Sequence, residues 1–257
     1  MTYAGPMDTT RGEWIYGLRP VLETLRAGRR HIYEAVLPEG GRDDALRVEV
    51  RTRVLTAGAS LSARPRRELE ELVEGGHHQG FAIRVGGYPY IGFDQIVHDV
   101  KERADALVLL LDHIEDPQNL GSLLRSAEAA GITGVVLPED RASTVTPAAV
   151  RASAGASEHV RVARVVNLVR AMKELQEAGL WLAGLDTGEG TRPYTEIDFA
   201  GRMGVVVGAE GEGLGRLVRE SCDFVAAIPM QGKVASLNAA VAGAIVLFEA
   251  RRQRGVL

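Results

Sequence analysis

Five short runs of apolar residues, each separated from the next by helical patterns, most constrain the fold of this chain. The runs are rich in Val, Leu and Ile and are continuous rather than alternating with polar residues. Strands that are apolar on both faces must be covered on both faces, as in a parallel sheet with helices on each side. The pattern therefore predicts an α/β fold built on a parallel sheet. The runs are Leu107–Leu111, Gly134–Leu137, Trp181–Leu185, Val205–Val207 and Phe224–Ile228.

The first third of the chain predicts a smaller α/β domain. Between this part and the apolar runs, the stretch GGYPYIGFD supplies glycines, a proline and aromatic residues, which is typical of a linker. We therefore expect a small domain over 11–88, a linker and lead-in helix over 89–105, and a larger domain over 106–257. In the small domain the patterns predict helices over Leu18–Arg26, Asp43–Leu55 and Pro65–Glu74, and strands over Ile32–Leu37 and Phe81–Val85.

Composition narrows the class of protein. With 257 residues, 46% hydrophobic and 25% charged, the chain is typical of a globular protein. No apolar run reaches the roughly 18 residues of a membrane helix, and the start MTYAGPMDTTRGEW lacks signal-peptide features, so we expect a cytosolic protein without a membrane partner. The net charge of -4 argues against coating nucleic acid by bulk attraction but allows a local basic patch. A single cysteine, Cys222, and histidines without ligand spacing predict no metal site.

The polar triplet Ser236-Leu237-Asn238 opens a last helix that is otherwise almost wholly apolar. Ser and Asn favour helix N-termini because their side chains accept from free backbone N–H groups. Capping explains one of the two polar residues but not easily both. Because the helix follows a strand and a loop containing Gly232, its start is expected to face the carboxyl edge of the sheet, where ligands bind. The triplet is the first indication of a ligand site.

The segment after the first apolar run, Asp112 to Gly131, carries two further candidates. Pro117 blocks continuation of the strand, and the pattern predicts a helix beginning near Asn119, with Asn119 as its cap. Arg125 lies six positions on, about 240° around an ideal helix, so the two side chains could converge only through the bend at the helix N-terminus and the long reach of Arg125. The alternative for Arg125 is a surface ion pair with Glu128.

The segment Val205 to Gly215, VVVGAEGEGLG, combines a strand with a glycine-rich loop that precedes a helix. This order favours close approach of the backbone to a ligand. The glycines at 208, 211, 213 and 215 give neither a dinucleotide fingerprint nor a nucleotide P-loop. Glu210 is a candidate polar contact, with a solvated turn glutamate as the alternative.

Taken together, these segments resemble the three motifs of the SpoU branch of the SPOUT RNA methyltransferases. The first third resembles the RNA-binding domain of the ribosomal RNA guanosine 2'-O-methyltransferases, so that the resemblance spans nearly the whole chain. The motif matches are Asn119–Ala127 (NLGSLLRSA), Gly208–Gly213 (GAEGEG), and Ile228-Pro229-Met230 with Ser236-Leu237-Asn238. The remaining matches are Ile15-Tyr16-Gly17, Val21-Leu22-Glu23, His78-Gln79-Gly80 and Asn167–Gly184.

The resemblance implies a C-terminal deep trefoil knot, a homodimer, and 2'-O-methylation of ribose in RNA by S-adenosyl-L-methionine. It also implies which residues hold the cofactor, largely through backbone groups: Gly208, Gly211, Gly213, Ile228, Met230 and Leu237. The implied catalytic residues are Arg125, at the RNA phosphate and the hydroxyl, and Asn119, Glu210, Ser236 and Asn238, which position it or the nucleotide. A guanidinium remains protonated at neutral pH. We therefore favour Arg125 as an electrostatic stabiliser, with its deprotonation as the alternative.

The substrate implied by the resemblance is a guanosine in 23S ribosomal RNA, held by the domain over 11–88. Arg26, Arg29 and Arg30 are candidate phosphate contacts there, with a solvated helix end as the alternative. Other functions left open are 2'-O-methylation of transfer RNA, methylation of a ribosomal RNA adenosine as in antibiotic resistance, and a catalytically inactive RNA-binding scaffold. Retention of Arg125, Glu210 and Asn238 favours an enzyme over the scaffold.

Overall fold

The computed structural model describes residues 12–40, 44–73, 76, 78–233 and 236–255. The contacts divide the chain into two compact units. The first contains residues up to Pro89 together with Thr146–His159, and the second contains Tyr90–Val145 and Val160 onward. The chain therefore leaves the second unit once and returns to it. The predicted larger domain over 106–257 instead includes Thr146–His159, and the predicted domain bounds stay a prediction.

The first unit is built on a four-stranded sheet. Its strands are β1 (Glu13–Tyr16), β2 (Ile32–Pro38), β3 (Ser60–Arg64) and β4 (Ala82–Val85), in the order β1-β4-β2-β3. Only β2 and β3 are parallel; β4 runs antiparallel to both β1 and β2. The helices are α1 (Leu18–Ala27), α2 (Ala45–Thr56) and α3 (Arg66–Leu72). The five elements predicted here are present, whereas β1 and β3 were missed: β1 is four residues long, and β3 is a half-exposed edge strand of sequence SLSAR.

A buried ion pair ties Thr146–His159 to the rest of the first unit. Arg30 and Glu158 have fully buried side chains and form two parallel hydrogen bonds, Nε to Oε2 (2.9 Å) and Nη2 to Oε1 (2.7 Å). Glu13 accepts a further bond from Arg30 (3.0 Å), and the ring of Tyr88 lies 5.1 Å from the guanidinium carbon. Such bidentate geometry compensates the removal of both charges from water.

The prediction that arginines after α1 contact RNA phosphate is wrong for Arg30, because its guanidinium is buried and fully engaged within the unit. Arg29 donates to the backbone carbonyls of Glu158 and Pro89, both at 3.0 Å. Arg26 binds the carboxylates of two glutamates of the same unit. These three side chains therefore hold the unit together, and a solvated helix end does not describe Arg30 either.

The second unit contains the predicted parallel sheet. Its seven strands follow the order β7-β6-β5-β10-β8-β11-β9, and every pairing in it is parallel. The strands are β5 (Leu107–Leu111), β6 (Gly134–Pro138), β7 (Val162–Val165), β8 (Trp181–Leu185), β9 (Arg192–Pro193), β10 (Met203–Val207) and β11 (Phe224–Ala227). All five predicted strands are present, and the fold class is confirmed. β7 escaped prediction because Arg164 interrupts a run of only four residues, and β9 has only two residues.

Helices cover both faces of this sheet. The helices of the second unit are α4 (Phe93–Glu102), α5 (Pro117–Ala129), α7 (Leu168–Glu177), α8 (Arg216–Glu220) and α9 (Ala239–Gln253); α6 (Pro147–Ala152) belongs to the first unit. Val206 packs in one core with α4 and α7. Val207 points to the opposite face and meets α9 at Gly243, which also abuts Leu123 of α5. Among the described residues, no helix has the length and apolarity to cross a membrane.

Candidate active site

A cleft opens at the carboxyl edge of the parallel sheet, where β8, β10 and β11 end side by side. Its cavity volume is about 160 Å³. Ligands of open α/β sheets bind at this edge because the loops that leave the strands diverge there. The lining residues fall in three groups: Leu185–Thr187 after β8, Val207–Gly213 after β10, and Ala226, Ile228, Met230, Ser236, Leu237, Ala239 and Ala242 around β11 and α9.

The six residues predicted to bind the cofactor all line this cleft. The wall is mostly backbone and apolar side chain, which suits an adenosyl group, and the carboxylates of Asp186, Glu210 and Glu212 also line it, which suits a cationic sulfonium. The loop is also closely packed: a Cβ on Gly208 would stand 2.2 Å from the carbonyl oxygen of Gly213, and the N–H of Gly213 donates to Ala209 (3.0 Å). Gly213 itself has a φ of +69°. The residues present therefore fit S-adenosylmethionine held through main-chain groups.

Three polar side chains from separate segments meet beside the cleft. Nδ2 of Asn238 donates to Oδ1 of Asn119 (2.8 Å) and to Oε2 of Glu210 (2.8 Å). Asn119 Nδ2 approaches the same carboxylate oxygen at 3.5 Å. The other side-chain atom of Asn238, Oδ1, accepts from the N–H groups of Ala240 (2.9 Å) and Val241 (3.3 Å). Asn238 therefore caps α9 and joins the other two side chains at once, and Glu210 is not a merely solvated turn residue.

Two predictions about helix starts need correction. Asn119 does not cap α5: the helix begins at Pro117, and the carboxylate of Asp116 accepts from the N–H groups of Gln118 (3.1 Å) and Asn119 (3.2 Å). Proline at the first helical position needs no N–H partner, so the cap lies one residue before it. The last helix begins at Ala239 rather than at Ser236. Ser236 therefore lies in the loop, where it lines the cleft without capping.

Arg125 stands apart from the polar cluster. Its side chain is exposed on α5, and Arg125 is not among the residues that line the cleft. Among the residues that the structure describes, neither Glu128 nor any other side chain forms an ion pair or hydrogen bond with it, so the alternative of a surface pair is not seen. Arg125 also forms no hydrogen bond with Asn119 in the part of the chain that the structure describes. A guanidinium without a partner remains available to a phosphate.

Sequence reasoning missed the contribution of β8. Asp186 and Thr187 follow its last residue and line the cleft. Asp186 accepts from the N–H of Thr187 (2.8 Å) and from Nε of Arg219 (3.2 Å), and its Oδ1 lies 2.8 Å from where a Cβ of Gly213 would stand. The signal was available, because a polar pair directly follows the apolar run Trp181–Leu185 at the same sheet edge.

In the described part of the chain, no three His, Cys, Asp or Glu side chains are grouped so as to hold a metal ion. Burial, with a smaller contribution from the charge of Asp223, raises the pKa of the Cys222 thiol to about 12. Only the thiolate is a good nucleophile, so Cys222 is a packing residue beneath the sheet edge.

Two sequence families match this chain. The SpoU rRNA Methylase family matches residues 106–248, and the RNA 2'-O ribose methyltransferase substrate binding family matches residues 14–91. The chain is 38% identical over 242 residues to the 23S rRNA (guanosine-2'-O-)-methyltransferase RlmB of Vibrio vulnificus, covering 94% of this chain and 97% of that protein. It is 44% identical over 243 residues to an uncharacterized tRNA/rRNA methyltransferase of Mycolicibacterium vanbaalenii, covering 94% and 77%.

Solved structures show the same architecture. The SpoU methyltransferase AviRb from Streptomyces viridochromogenes superposes with a TM-score of 0.79 at 27% identity, covering 95% of this chain and 90% of that one. Its complex with the cofactor AdoMet gives a TM-score of 0.78 at 28% identity, covering 95% and 90%. The likeness extends over both units of the chain, and the stretch matched by the methylase family contains the whole cleft and its polar cluster. This protein therefore belongs to the SpoU rRNA methylase family.

Proposed function

We propose that this protein transfers the methyl group of S-adenosylmethionine to the 2'-hydroxyl of a guanosine in 23S ribosomal RNA. The observation that carries the proposal is the bonding of Asn119 and Glu210 to Asn238 beside a cleft walled by backbone and apolar groups. Its relatives named RlmB support the choice of RNA and base. A ribosomal RNA substrate implies work in the cytoplasm, where ribosomes are assembled.

The proposed cofactor site uses the three strand ends. Main-chain groups of Gly208, Gly211 and Gly213 and of Ile228 bind the adenosyl part, while Met230 and Leu237 cover it. When bound, S-adenosylmethionine supplies an electrophilic methyl group, which the ribose 2'-oxygen takes as the bond to the sulfonium breaks. The task of the protein is to align the two reactants and to ease the loss of the hydroxyl proton.

The polar cluster does this positioning. Asn238 holds Glu210 and Asn119 in one arrangement through hydrogen bonds of 2.8 Å, so that acceptor groups for a ribose hydroxyl are fixed before substrate arrives. Ser236 lines the same cleft and contributes a hydroxyl. Arg125 binds the RNA phosphate and stabilises the developing negative charge on the 2'-oxygen, and the proton leaves to phosphate or water.

We further infer that the protein works as a homodimer, in which Arg125 of one chain completes a site near the subunit interface. The outer face of α9 supports this inference: Val241 and Phe248, two turns apart on one side, are 48% and 39% exposed. The mass in solution tests it, with Phe248→Glu expected to give a monomer. A monomeric wild-type protein with full activity contradicts it.

The trefoil knot is also proposed for the segment that ends in α9. Its support is the position of β10 between β5 and β8, together with the packing of α9 against α5. An experimental backbone trace tests it, and a trace in which α9 passes through no loop contradicts it.

The decisive experiment incubates the purified protein and labelled cofactor with full-length 23S ribosomal RNA, 16S ribosomal RNA and transfer RNA. Mass spectrometry then locates the methyl group. We expect one 2'-O-methylguanosine in 23S RNA and none in the others. Methylation of transfer RNA or of an adenosine instead refutes the substrate.

Arg125→Ala tests the assignment of roles. We expect transfer to be abolished while S-adenosylmethionine affinity stays within a few fold of wild type, because Arg125 does not line the cofactor cleft. Glu128→Ala on the same exposed face of α5 is the matched control. A large loss of cofactor binding in Arg125→Ala contradicts the assignment.

A further inference from the structure

A second cavity shares the glycine-rich loop with the cofactor cleft. Ala209, Glu210, Glu212 and Gly213 line both. The remaining walls are His113, Glu115, Arg141, Leu214 and Gly215, and the cavity volume is about 400 Å³. This space is ample for one nucleobase. A molecule held there lies next to whatever occupies the cleft.

The loops after β5 and β6 build the far walls of this cavity. They are tied together where the N–H of Ser143 donates to the carbonyl of Ile114 (2.7 Å). His113 and Arg141, one in each loop, both have left-handed backbones, with φ of +56° and +49°. Such conformations are uncommon in residues other than glycine and persist only where the surroundings hold them. Both side chains are therefore presented from constrained positions.

The imidazole of His113 lies against a buried carboxylate. Asp112 is 2% exposed; its Oδ1 lies 2.7 Å from Nδ1 of His113, and its Oδ2 accepts from the N–H of Gly215 (2.8 Å). One carboxylate thus contacts the histidine ring and anchors the end of the glycine-rich loop. The ring offers a flat surface on which a base can stack.

The cavity carries charged groups of both signs that no neighbour neutralises. Within the described part of the chain, Arg141, Glu115 and Glu212 have neither an ion pair nor a side-chain hydrogen bond. Three glutamates against one arginine make the lining net negative, so the cavity is unsuited to a phosphate. It suits a ligand that presents acceptors to a guanidinium and donors to a carboxylate.

Guanine is the base with this combination. Its O6 and N7 accept two hydrogen bonds from an arginine. On its Watson–Crick edge N1–H and the 2-amino group are donors, which a carboxylate, having only acceptors, can receive as a pair. Adenine lacks the O6 acceptor and the 2-amino donor.

We propose that this cavity reads the base of the methylated guanosine, with Arg141 donating to O6 and N7 and Glu115 accepting from N1–H and the 2-amino group. His113 stacks on the base. Glu115 is assigned in preference to Glu212 because Glu115 lines only this cavity, whereas Glu212 also lines the cofactor cleft. The proposal rests on the proposed function and adds to it the residues that select the base.

The test replaces single atoms of the target base. Two RNA fragments carry inosine, which lacks the 2-amino group, or 7-deazaguanosine, which lacks N7, at the nucleotide mapped as above. We expect wild-type kcat/KM to fall about 10- to 150-fold on each, as for the loss of a hydrogen bond to a charged group. Glu115→Gln should no longer distinguish inosine from guanosine, and Arg141→Ala should no longer distinguish 7-deazaguanosine from guanosine.

Controls keep the outcomes distinct. Glu102→Gln, an exposed glutamate that lines neither cavity, should discriminate like wild type, and S-adenosylmethionine affinity should be unchanged in Glu115→Gln and Arg141→Ala. Wild-type discrimination in both variants overturns the proposal, as does its loss in Glu212→Gln instead of Glu115→Gln. If wild type methylates all three bases equally, the cavity does not read the base although the proposed function stands. If wild type methylates no guanosine, the proposed function and this proposal fail together.

Discussion

Asn238 performs two tasks that substitution can separate. Its Oδ1 caps α9 at Ala240 and Val241, while its Nδ2 donates to Asn119 and Glu210. Asn238→Ala removes both, whereas Asn238→Asp keeps an oxygen acceptor for the helix and removes the donor. The two variants should therefore differ in stability while sharing a catalytic defect.

The expected magnitudes follow from these contacts. Loss of an N-cap costs about 1 kcal/mol, which shifts the melting temperature of a protein of this size by roughly 2–4 °C. Asn238→Asp keeps the cap and gains from the helix dipole, but it places a second carboxylate beside Glu210. That repulsion is about 1 kcal/mol at 4 Å in water and about 4 kcal/mol at an effective dielectric constant of 20. Loss of the hydrogen bond to the Glu210 carboxylate, worth about 1.5–3 kcal/mol, predicts a transfer rate about 10- to 150-fold lower in both variants.

The assay combines thermal unfolding, calorimetric binding of S-adenosylmethionine and single-turnover methyl transfer. We expect a small loss of melting temperature in Asn238→Ala and a large loss of rate in both variants. A transfer rate within threefold of wild type in Asn238→Asp refutes the positioning role of the Nδ2 group. A drop in melting temperature above about 10 °C in Asn238→Ala means that the residue is mainly structural, since it exceeds any cap effect.

Three further substitutions test contacts of the glycine-rich loop, of the first unit and of α9. Gly208→Ala places a Cβ 2.2 Å from a loop carbonyl oxygen, and we expect at least a tenfold loss of S-adenosylmethionine affinity by calorimetry, because about 1.4 kcal/mol of strain is enough for that loss. Gly201→Ala is the control: a Cβ there would have nothing within 4 Å, so this variant should bind S-adenosylmethionine like wild type. Glu158→Gln leaves its buried arginine partner with the partly exposed Glu13 as counter-charge and should lower the free energy of unfolding in urea by up to about 3–5 kcal/mol; a loss below 1 kcal/mol contradicts this. Hydrogen bonds from Arg252 lower the pKa of Glu249 to about 2, so the stabilisation by this ion pair is complete above about pH 4.5 and is lost as the pH falls towards 2. In Glu249→Gln the melting temperature should therefore change less with pH between 4.5 and 2 than in wild type. An unchanged dependence of the melting temperature on pH refutes this.

The parallel sheet and much of the cleft could be predicted because both depend on local pattern. A strand buried on both faces must be apolar throughout, and the loops after parallel strands meet at one edge. The motif residues at Gly208, Ile228 and Leu237 therefore reach the same cleft from separate segments. The weak edge strands β3 and β9 escaped because a half-exposed or two-residue strand leaves no apolar run to detect.

The sequence by itself determined the fold class, five of the seven strands of the parallel sheet and two of the three segments that line the cleft. Only the tertiary structure decided which polar side chains pair. Asn238 bonds to a residue 119 positions earlier, and Arg30 is buried against a glutamate 128 positions later. The cavity between His113, Arg141 and the glycine-rich loop likewise depends on how three loops fold over one sheet edge. Apolar periodicity is read over a few neighbouring residues, whereas a hydrogen-bond partner is chosen by distance in space after the sheet has formed.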